Sequence, residues 1–213
     1  MDREMKRKTI HISMGFLALL LAIFPRWLSI LCILIALFFI LVIARPTGWQ
    51  RSFEAMASRE RDLESGYLYG PLLYILMVLI AVVLYDLRVA ATVFCIMAFG
   101  DGFANVIGSK FGKHRYQSFQ DKSLEGFIAF IVFAFIFGTI SFFIVSINPE
   151  FSSWLPILKI KNPSEIVFIN AVVVIFIVSI ISAFIELLTT DLINDNISVP
   201  LISGILLTFL LKL

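Results

Sequence analysis

The sequence predicts an all-α polytopic membrane protein, with about seven membrane-spanning helices and its N-terminus in the cytoplasm. Three observations lead there. Apolar residues make up 60% of the 213 positions and charged residues 15%, whereas a soluble domain has about half and about a quarter. The apolar text recurs in long runs from one end of the chain to the other. Lys and Arg are shared unevenly between the loops that separate those runs. With 22 Phe and little charge, the chain is not disordered, and a net charge of +2 without a basic stripe gives no footprint for nucleic acid.

A helix needs about 20 residues to cross the hydrocarbon. The first run, Ile10–Phe24, follows a basic start and has the outline of a signal peptide. No small-x-small cleavage pattern occurs around Leu21-Ala22-Ile23-Phe24, so it reads as a membrane helix. Trp27–Ala44 is the second run. From Arg45 to Gly66, Arg51, Glu54, Arg59, Glu60, Arg61 and Glu64 fall at helical spacing, which predicts a short interfacial helix with a solvated face. Tyr67–Tyr85, Val89–Ser109, Phe127–Ile147, Glu165–Leu188 and Ser198–Leu211 complete the set, within one integral membrane domain over residues 1–213. The runs are continuous and lack period-two alternation, which excludes a β-barrel. Cys32 and Cys95 both sit inside apolar runs without a CxxC or a nearby His, and read as packing residues.

Seven spans divide the loops into two sets. One holds Arg3, Lys6, Arg7, Lys8, Arg45, Arg51, Arg59, Arg61, Lys110, Lys113, Arg115 and Lys122; the other holds only Arg26, Arg88, Lys159, Lys161 and Lys212. Short loops rich in Lys and Arg stay in the cytoplasm, so the N-terminus is expected inside and the C-terminus outside.

Polar groups inside such runs are informative, because an ionisable side chain at mid-membrane costs about 2.5–3.5 kcal/mol on insertion scales. Three clusters stand out, all on the expected cytoplasmic side. The first is Arg7-Lys8-Thr9-Ile10-His11, where Arg7 and His11 share a helical face. Positive-inside anchoring accounts for the lysines, but an imidazole adds little to anchoring.

The second runs from Phe99 to Arg115. Gly100, Ala104, Gly108 and Gly112 form a small-residue row at a four-residue step, with Asp101, Asn105 and Ser109 as a polar row beside it. Small-xxx-small alone signals helix packing. An Asp and an Asn one turn apart, followed by cations, go further: Asp101 suits Mg²⁺, Asn105 a neutral oxygen donor, and the glycines let backbone N–H groups reach phosphate. Asp121-Lys122-Ser123-Leu124-Glu125-Gly126 follows at once. Ser123 and Glu125 suit a helix start, but Lys122 there opposes the helix dipole unless an anion is bound.

The third cluster is Glu186 inside an apolar run, then Asp191, Asn194, Asp195, Asn196 and Pro200 in a loop without basic residues. A turn accounts for part of it. Asp101, Glu186 and Asp195 together could supply the oxygen ligands of a hard divalent cation. Basic groups for phosphate, carboxylates for Mg²⁺ and a membrane-embedded rim describe a site that joins a nucleotide from the cytoplasm to a lipid from the bilayer.

At these residues the chain resembles the family of dolichol kinase, phytol kinase and the yeast-type diacylglycerol kinase, membrane enzymes that phosphorylate lipid alcohols with CTP. The resemblance rests on four motifs in order across nearly the whole chain. They are Arg7, Lys8 and His11; Gly100, Asp101, Ala104 and Gly108 continuing into Phe111, Gly112 and Lys113; Lys122, Ser123, Glu125 and Gly126; and Glu186, then Asp195, Asn196 and Pro200. Asn194 departs from the pattern, since an Asp often precedes the Asp-Asn pair.

More distantly, the middle of the chain is similar to phosphatidate cytidylyltransferases. Their later Lys-Asp, His-Gly-Gly and paired Asp residues do not occur: Lys122 is followed by Ser123, and no His follows His114. The resemblance therefore implies a CTP-dependent kinase acting on polyprenol, a phytol-like isoprenoid or diacylglycerol. Formation of a CDP-lipid with release of pyrophosphate is the alternative. A transporter would need polar groups at several depths, and the outward halves of the runs are nearly bare.

The expected catalytic groups are Asp101, His11, Glu186 and Asp195, with His11 or a carboxylate near Asp101 as base. Metal falls to Asp101, Asn105, Glu186, Asp195 and Asn196. Nucleotide phosphates fall to Arg7, Lys8, Lys113, Lys122 and Ser123, with backbone access at Gly100, Gly108 and Gly112. The preference for CTP comes wholly from the resemblance. Neither the acceptor lipid nor the oligomeric state is expressed in these residues.

Overall fold

Among the described residues, four helices are long and apolar enough to cross a membrane: Arg26–Ile43, Leu87–Phe111, Leu124–Val145 and Phe168–Leu188. Three shorter apolar helices, Lys8–Ala22, Tyr69–Leu84 and Asp195–Leu210, fall on the remaining predicted runs. The computed structural model describes residues 3–44, 60–116, 122–162, 168–189 and 195–212, with Gln50, Phe53, Met56, Ala57 and Ile166 between them. The side chains of residues 3–7, 60, 61 and 116 are outside that description.

In chain order, α1 (Arg3–Gly15) runs on as a 3-10 segment, Phe16–Ala22, and α2 (Arg26–Phe38) ends in a π turn, Phe39–Ile43. The short α3 (Glu60–Ser65) lies inside the stretch expected to form an interfacial helix, and Asp62 in it is buried and accepts from the Tyr69 backbone N–H at 3.1 Å. Then come α4 (Tyr69–Leu84), α5 (Leu87–Cys95), a π segment (Ile96–Asp101) and α6 (Gly102–Phe111), the last three one continuous rod. The all-helical expectation holds apart from a two-residue antiparallel pair, β1 (Arg115–Tyr116) against β2 (Lys122–Ser123). The chain closes with α7 (Leu124–Val145), α8 (Phe168–Leu188) and α9 (Asp195–Leu210).

The α5–α6 rod is the axis of the bundle. Its membrane window is 72% buried within the protein, against 39% for α7 and α8 and 17% for α2. All nine residues of α5 are buried, so its apolar character serves protein packing, while the apolar face of α2 points outward. In hydrocarbon, helices gain little from hiding apolar surface, and close backbone contact does the holding. The small-residue row supplies that contact. A Cβ on Gly108 would come within 3.4 Å of the Gly126 Cα, so α6 and α7 touch backbone to backbone there. Gly102 makes room for α1 in another way, since a Cβ there would strike the Ile12 side chain packed against it.

Helix ends leave carbonyls without intrahelical donors, and burying them requires side-chain partners. Away from the predicted site, Arg26 answers this need. Its guanidinium donates to the carbonyls of Val82 and, at 2.9 Å, Tyr85 at the end of α4, and to that of Ser152 at 2.8 Å. Asn148 donates to Leu21 and Phe24 at 2.6 and 2.9 Å, and Ser153 to Leu84 at 2.6 Å. Asp86 caps α5 and holds Arg88 in a two-pronged pair, both bonds 2.9 Å. Arg26 and Arg88 are thus core residues, although the sequence presents them as loop charges.

Candidate active site

The polar row of the α5–α6 rod faces α1, not α7. Because Gly102 lets α1 approach, Lys8 reaches Asp101 and donates to both carboxylate oxygens, at 2.8 and 3.1 Å across 93 residues of chain. Asn105, one turn on, donates to Asp101 Oδ1 at 3.1 Å. His11, one turn below Lys8, places Nε2 3.6 Å from Asp101 Oδ2 and 3.1 Å from the Met97 carbonyl oxygen. A carbonyl can only accept, so in this contact Nε2 carries the proton, and a neutral ring has its lone pair on Nδ1. Met97 and Asp101 both lie in the π segment, a turn that shifts the register of the helix faces and recurs at functional sites.

A second pair forms from the opposite side. The β1–β2 pair brings Lys122 to the end of α8, where its ammonium sits 3.0 Å from Glu186 Oε1 and also donates to the Glu186 carbonyl. The expectation that Lys122 opposes the α7 dipole is resolved in this way: its charge is directed at a carboxylate from another helix. Ser123 caps α7, its Oγ accepting from the Gly126 N–H at 3.1 Å. Glu125 takes His114 Nδ1 at 2.8 Å, a contact at the exposed rim.

The two pairs share one field. The negative charges of Asp101 and Asp195 both act on Glu186, and α8 and α9 each pack on the π segment that carries Asp101. Asp195 opens α9, its carboxylate accepting from the Asn196 N–H at 2.9 Å. The side chains are largely shielded yet not sealed: Lys8 and Asp101 are 8% and 14% exposed, Lys122 and Glu186 25% and 10%.

Five separate segments thus bring Lys8, His11, Asp101, Asn105, Lys122, Glu186 and Asp195 to one end of the bundle. Lys113 lies at the exposed rim beyond α6. The glycine row turns toward α7: Gly100 abuts Phe130 and Ala134, and Gly108 and Gly112 abut Ser123. Arg7 lies on α1 with its side chain outside the described residues, as do Asp121, Asp191 and Asn194 altogether.

For a divalent cation the donor set is of the right kind, hard carboxylate and amide oxygens. Among the described residues no three His, Cys, Asp or Glu side chains already form a metal cage. Mg²⁺ asks for less than a cage, since it is commonly held by one or two carboxylates with waters and substrate phosphates. The residues present fit that mode.

Sequence reasoning missed Tyr74. Its ring lies 4.6 Å from that of His11, between centroids, and its buried hydroxyl has no hydrogen-bond partner. A Tyr inside an otherwise apolar helix was the available signal.

The sequence profile of the cytidylyltransferase family matches residues 3–190. A Triticum aestivum protein named "Probable phytol kinase, chloroplastic" is 29% identical over 147 residues, covering 68% of this chain and 44% of its own length. A Glycine max protein named "Probable phytol kinase 3, chloroplastic" is 28% identical over 214 residues, covering 95% of this chain and 61% of its own. "Farnesol kinase, chloroplastic" of Arabidopsis thaliana is 28% identical over 147 residues, covering 63% and 46%. The chain spans less than two thirds of the length of these relatives. No solved structure matches it. With one profile covering nearly all of its helices and every residue of the two lysine–carboxylate pairs, the chain belongs to the cytidylyltransferase family, and within it is similar to members named as phytol and farnesol kinases.

Proposed function

We propose that the chain is a lipid-alcohol kinase that transfers the γ-phosphate of CTP to the hydroxyl of a prenol-type lipid, at the cytoplasmic end of the bundle. The observation that carries this reading is the pair of lysine–carboxylate contacts, Lys8–Asp101 and Lys122–Glu186, brought together from distant segments inside an apolar protein. The relatives' names supply the acceptor class. The excess of Lys and Arg in the loops at this end supplies the orientation.

Phosphoryl transfer asks the protein mainly for positioning and charge neutralisation. A lysine paired with a carboxylate can exchange that partner for a phosphate oxygen, so Lys8 and Lys122 serve as phosphate ligands, with Lys113 at the rim and Arg7 of α1 assigned to the phosphates from the sequence. Asp101, Glu186 and Asp195 would hold Mg²⁺, assisted by Asn105 and Asn196. When bound, the ion neutralises charge on the phosphates. Asp101 orients Lys8 and is oriented in turn by Asn105. His11, beside Asp101, serves as the base for the acceptor hydroxyl. Ser123 acts by fixing the start of α7 and hence Lys122.

Purified protein incubated with Mg²⁺, labelled CTP and a panel of prenols, phytol and diacylglycerol is the test. Release of CDP with a phosphorylated alcohol supports the proposal. Release of pyrophosphate with a CDP-lipid would replace it by the cytidylyltransferase reaction.

A further inference from the structure

A cavity of about 110 Å³ lies below the His11–Asp101 layer, between the 3-10 extension of α1, α2 and α4. Its wall is almost wholly apolar, and the residues that define it are Tyr74, Val78 and Val82 of α4, Leu17 of the 3-10 segment, and Cys32 and Ala36 of α2. From Tyr74 to Val82 along α4 the wall runs about 12 Å, at 1.5 Å per residue. Leu17 and Cys32 are exposed on the outside of the bundle, so the cavity opens sideways between α1 and α2.

Two hydroxyls lie in the wall: Ser29, on α2, donates to the Pro25 carbonyl at 3.4 Å, whereas the other is Tyr74. Tyr74 is 4% exposed, lines the cavity at its His11 end, and its hydroxyl has no hydrogen-bond partner. A buried hydroxyl without a partner is costly, and such groups in native proteins ask for an explanation. An apolar cavity of this size does not hold the two to four polar contacts a water requires. The Asp101 carboxylate is near enough to act on that same hydroxyl.

We propose that this slot binds the hydroxyl-proximal segment of a single-chain isoprenoid alcohol, with Tyr74 hydrogen-bonding the acceptor hydroxyl beside His11 and the chain leaving laterally between α1 and α2. The assignment deepens the kinase reading and rests on it for the word acceptor, but the binding itself does not need turnover. The slot is smaller than the about 150 Å³ apolar cavity that takes a single benzene, so it admits one chain and not the paired chains of a diacylglycerol. The chemistry of the wall matches the ligand: an unpartnered hydroxyl at the His11 end, a largely hydrocarbon wall below it, and an opening to the side. Tyr74 is a binding and positioning residue here, since it touches the hydroxyl but not the phosphate.

The test uses a farnesol analogue carrying a diazirine on its chain, and the matching hydrocarbon lacking the hydroxyl, photolysed with the full chain in membranes. Cross-links are mapped by mass spectrometry. The alcohol should label α2, α4 and the segment Phe16–Ala22, and excess phytol should compete. Tyr74→Phe should weaken labelling by the alcohol about tenfold while leaving the hydrocarbon unaffected. Ala36→Trp should abolish slot labelling and raise the KM for the alcohol at least tenfold, with the KM for CTP unchanged. Leu31→Trp, on the outer face of the same helix, should change neither. Labelling spread evenly over the outer faces of α7 and α8, or equal for alcohol and hydrocarbon, would overturn the slot. If the slot labels as expected but no phosphorylated alcohol forms, the kinase reading falls and the binding site stands. If phosphorylation proceeds and Ala36→Trp leaves the KM unmoved, the slot falls and the kinase reading stands.

Discussion

At one end of the bundle Arg26 and Arg88 are 1% and 0% exposed, each held by several buried partners. At the other, Lys8 and Lys122 make one ion pair each with carboxylates that water still reaches. The partners differ as much as the exposure. Arg26 gathers carbonyls from α4 and the 151–152 segment, and Arg88 combines a two-pronged carboxylate, the Lys161 carbonyl and the face of Phe151, 4.3 Å from its centroid. Arginine suits this work because its fork of donors is rigid and it keeps its charge. Lysine carries a compact charge on a flexible stem, which can leave a carboxylate for a phosphate. From Arg88 to Asp101 the rod rises about 20 Å, so a single helix carries a sealed arginine at one end and the Lys8–Asp101 pair at the other. Similar net charge at two ends of a membrane bundle can therefore mean opposite things, and the geometry of the partners distinguishes them.

The sharpest way to break the comparison is at the arginine end. Arg88→Ala leaves the buried Asp86 carboxylate without its partner, and removing one member of a buried pair costs about 3–5 kcal/mol. The unfolding midpoint in detergent should fall accordingly. An unchanged midpoint would show that Arg88 is no lock.

Asp101→Asn keeps the shape of the side chain and an oxygen for Lys8 but removes the charge. Kinase activity should drop about 100- to 1,000-fold, the range for losing one preorganised electrostatic group, while the midpoint stays put. Retained activity would remove Asp101 from the machinery. A loss of folding in place of activity would make this end structural too.

Lys122→Gln gives up a charge-assisted contact worth about 1.5–3 kcal/mol, so the KM for CTP should rise about ten- to a hundredfold. Because Lys122 is already 25% exposed, stability should change little. The reverse pattern would place Lys122 with the arginines. Lys159→Ala lies at the arginine end on an exposed loop, and both activity and stability should remain within about 0.5 kcal/mol of the parent. A large effect there would mean that solvent-facing charge at this end also has work to do.

Much of the architecture was legible in advance. Among the described residues, run length and hydropathy located the apolar helices to within a few residues, although only four of the seven runs are long enough to cross hydrocarbon. The predicted run Glu165–Leu188 appears as Phe168–Leu188, and Tyr67–Tyr85 as Tyr69–Leu84. The two rows around Asp101 were also legible, since a four-residue step fixes a helix face. Their partners were not: the small row meets α7 and the polar row meets α1, and no spacing within Gly100–Gly112 says so. Arg26 and Arg88 were misjudged for a related reason. A charge at the end of an apolar run looks the same whether it faces water or a ring of carbonyls, although Asp86 two residues before Arg88 was a usable capping signal.

By itself the sequence determined that the chain lives among lipid, where its helices lie, and which scarce polar residues stand inside them. Those are properties of composition and period, and they hold whatever the neighbours are. Only the tertiary structure decided that Lys8 meets Asp101 and Lys122 meets Glu186, that two arginines are sealed away, and that Tyr74 ends an apolar slot. Those facts depend on distances between segments dozens of residues apart, which no period within one segment encodes.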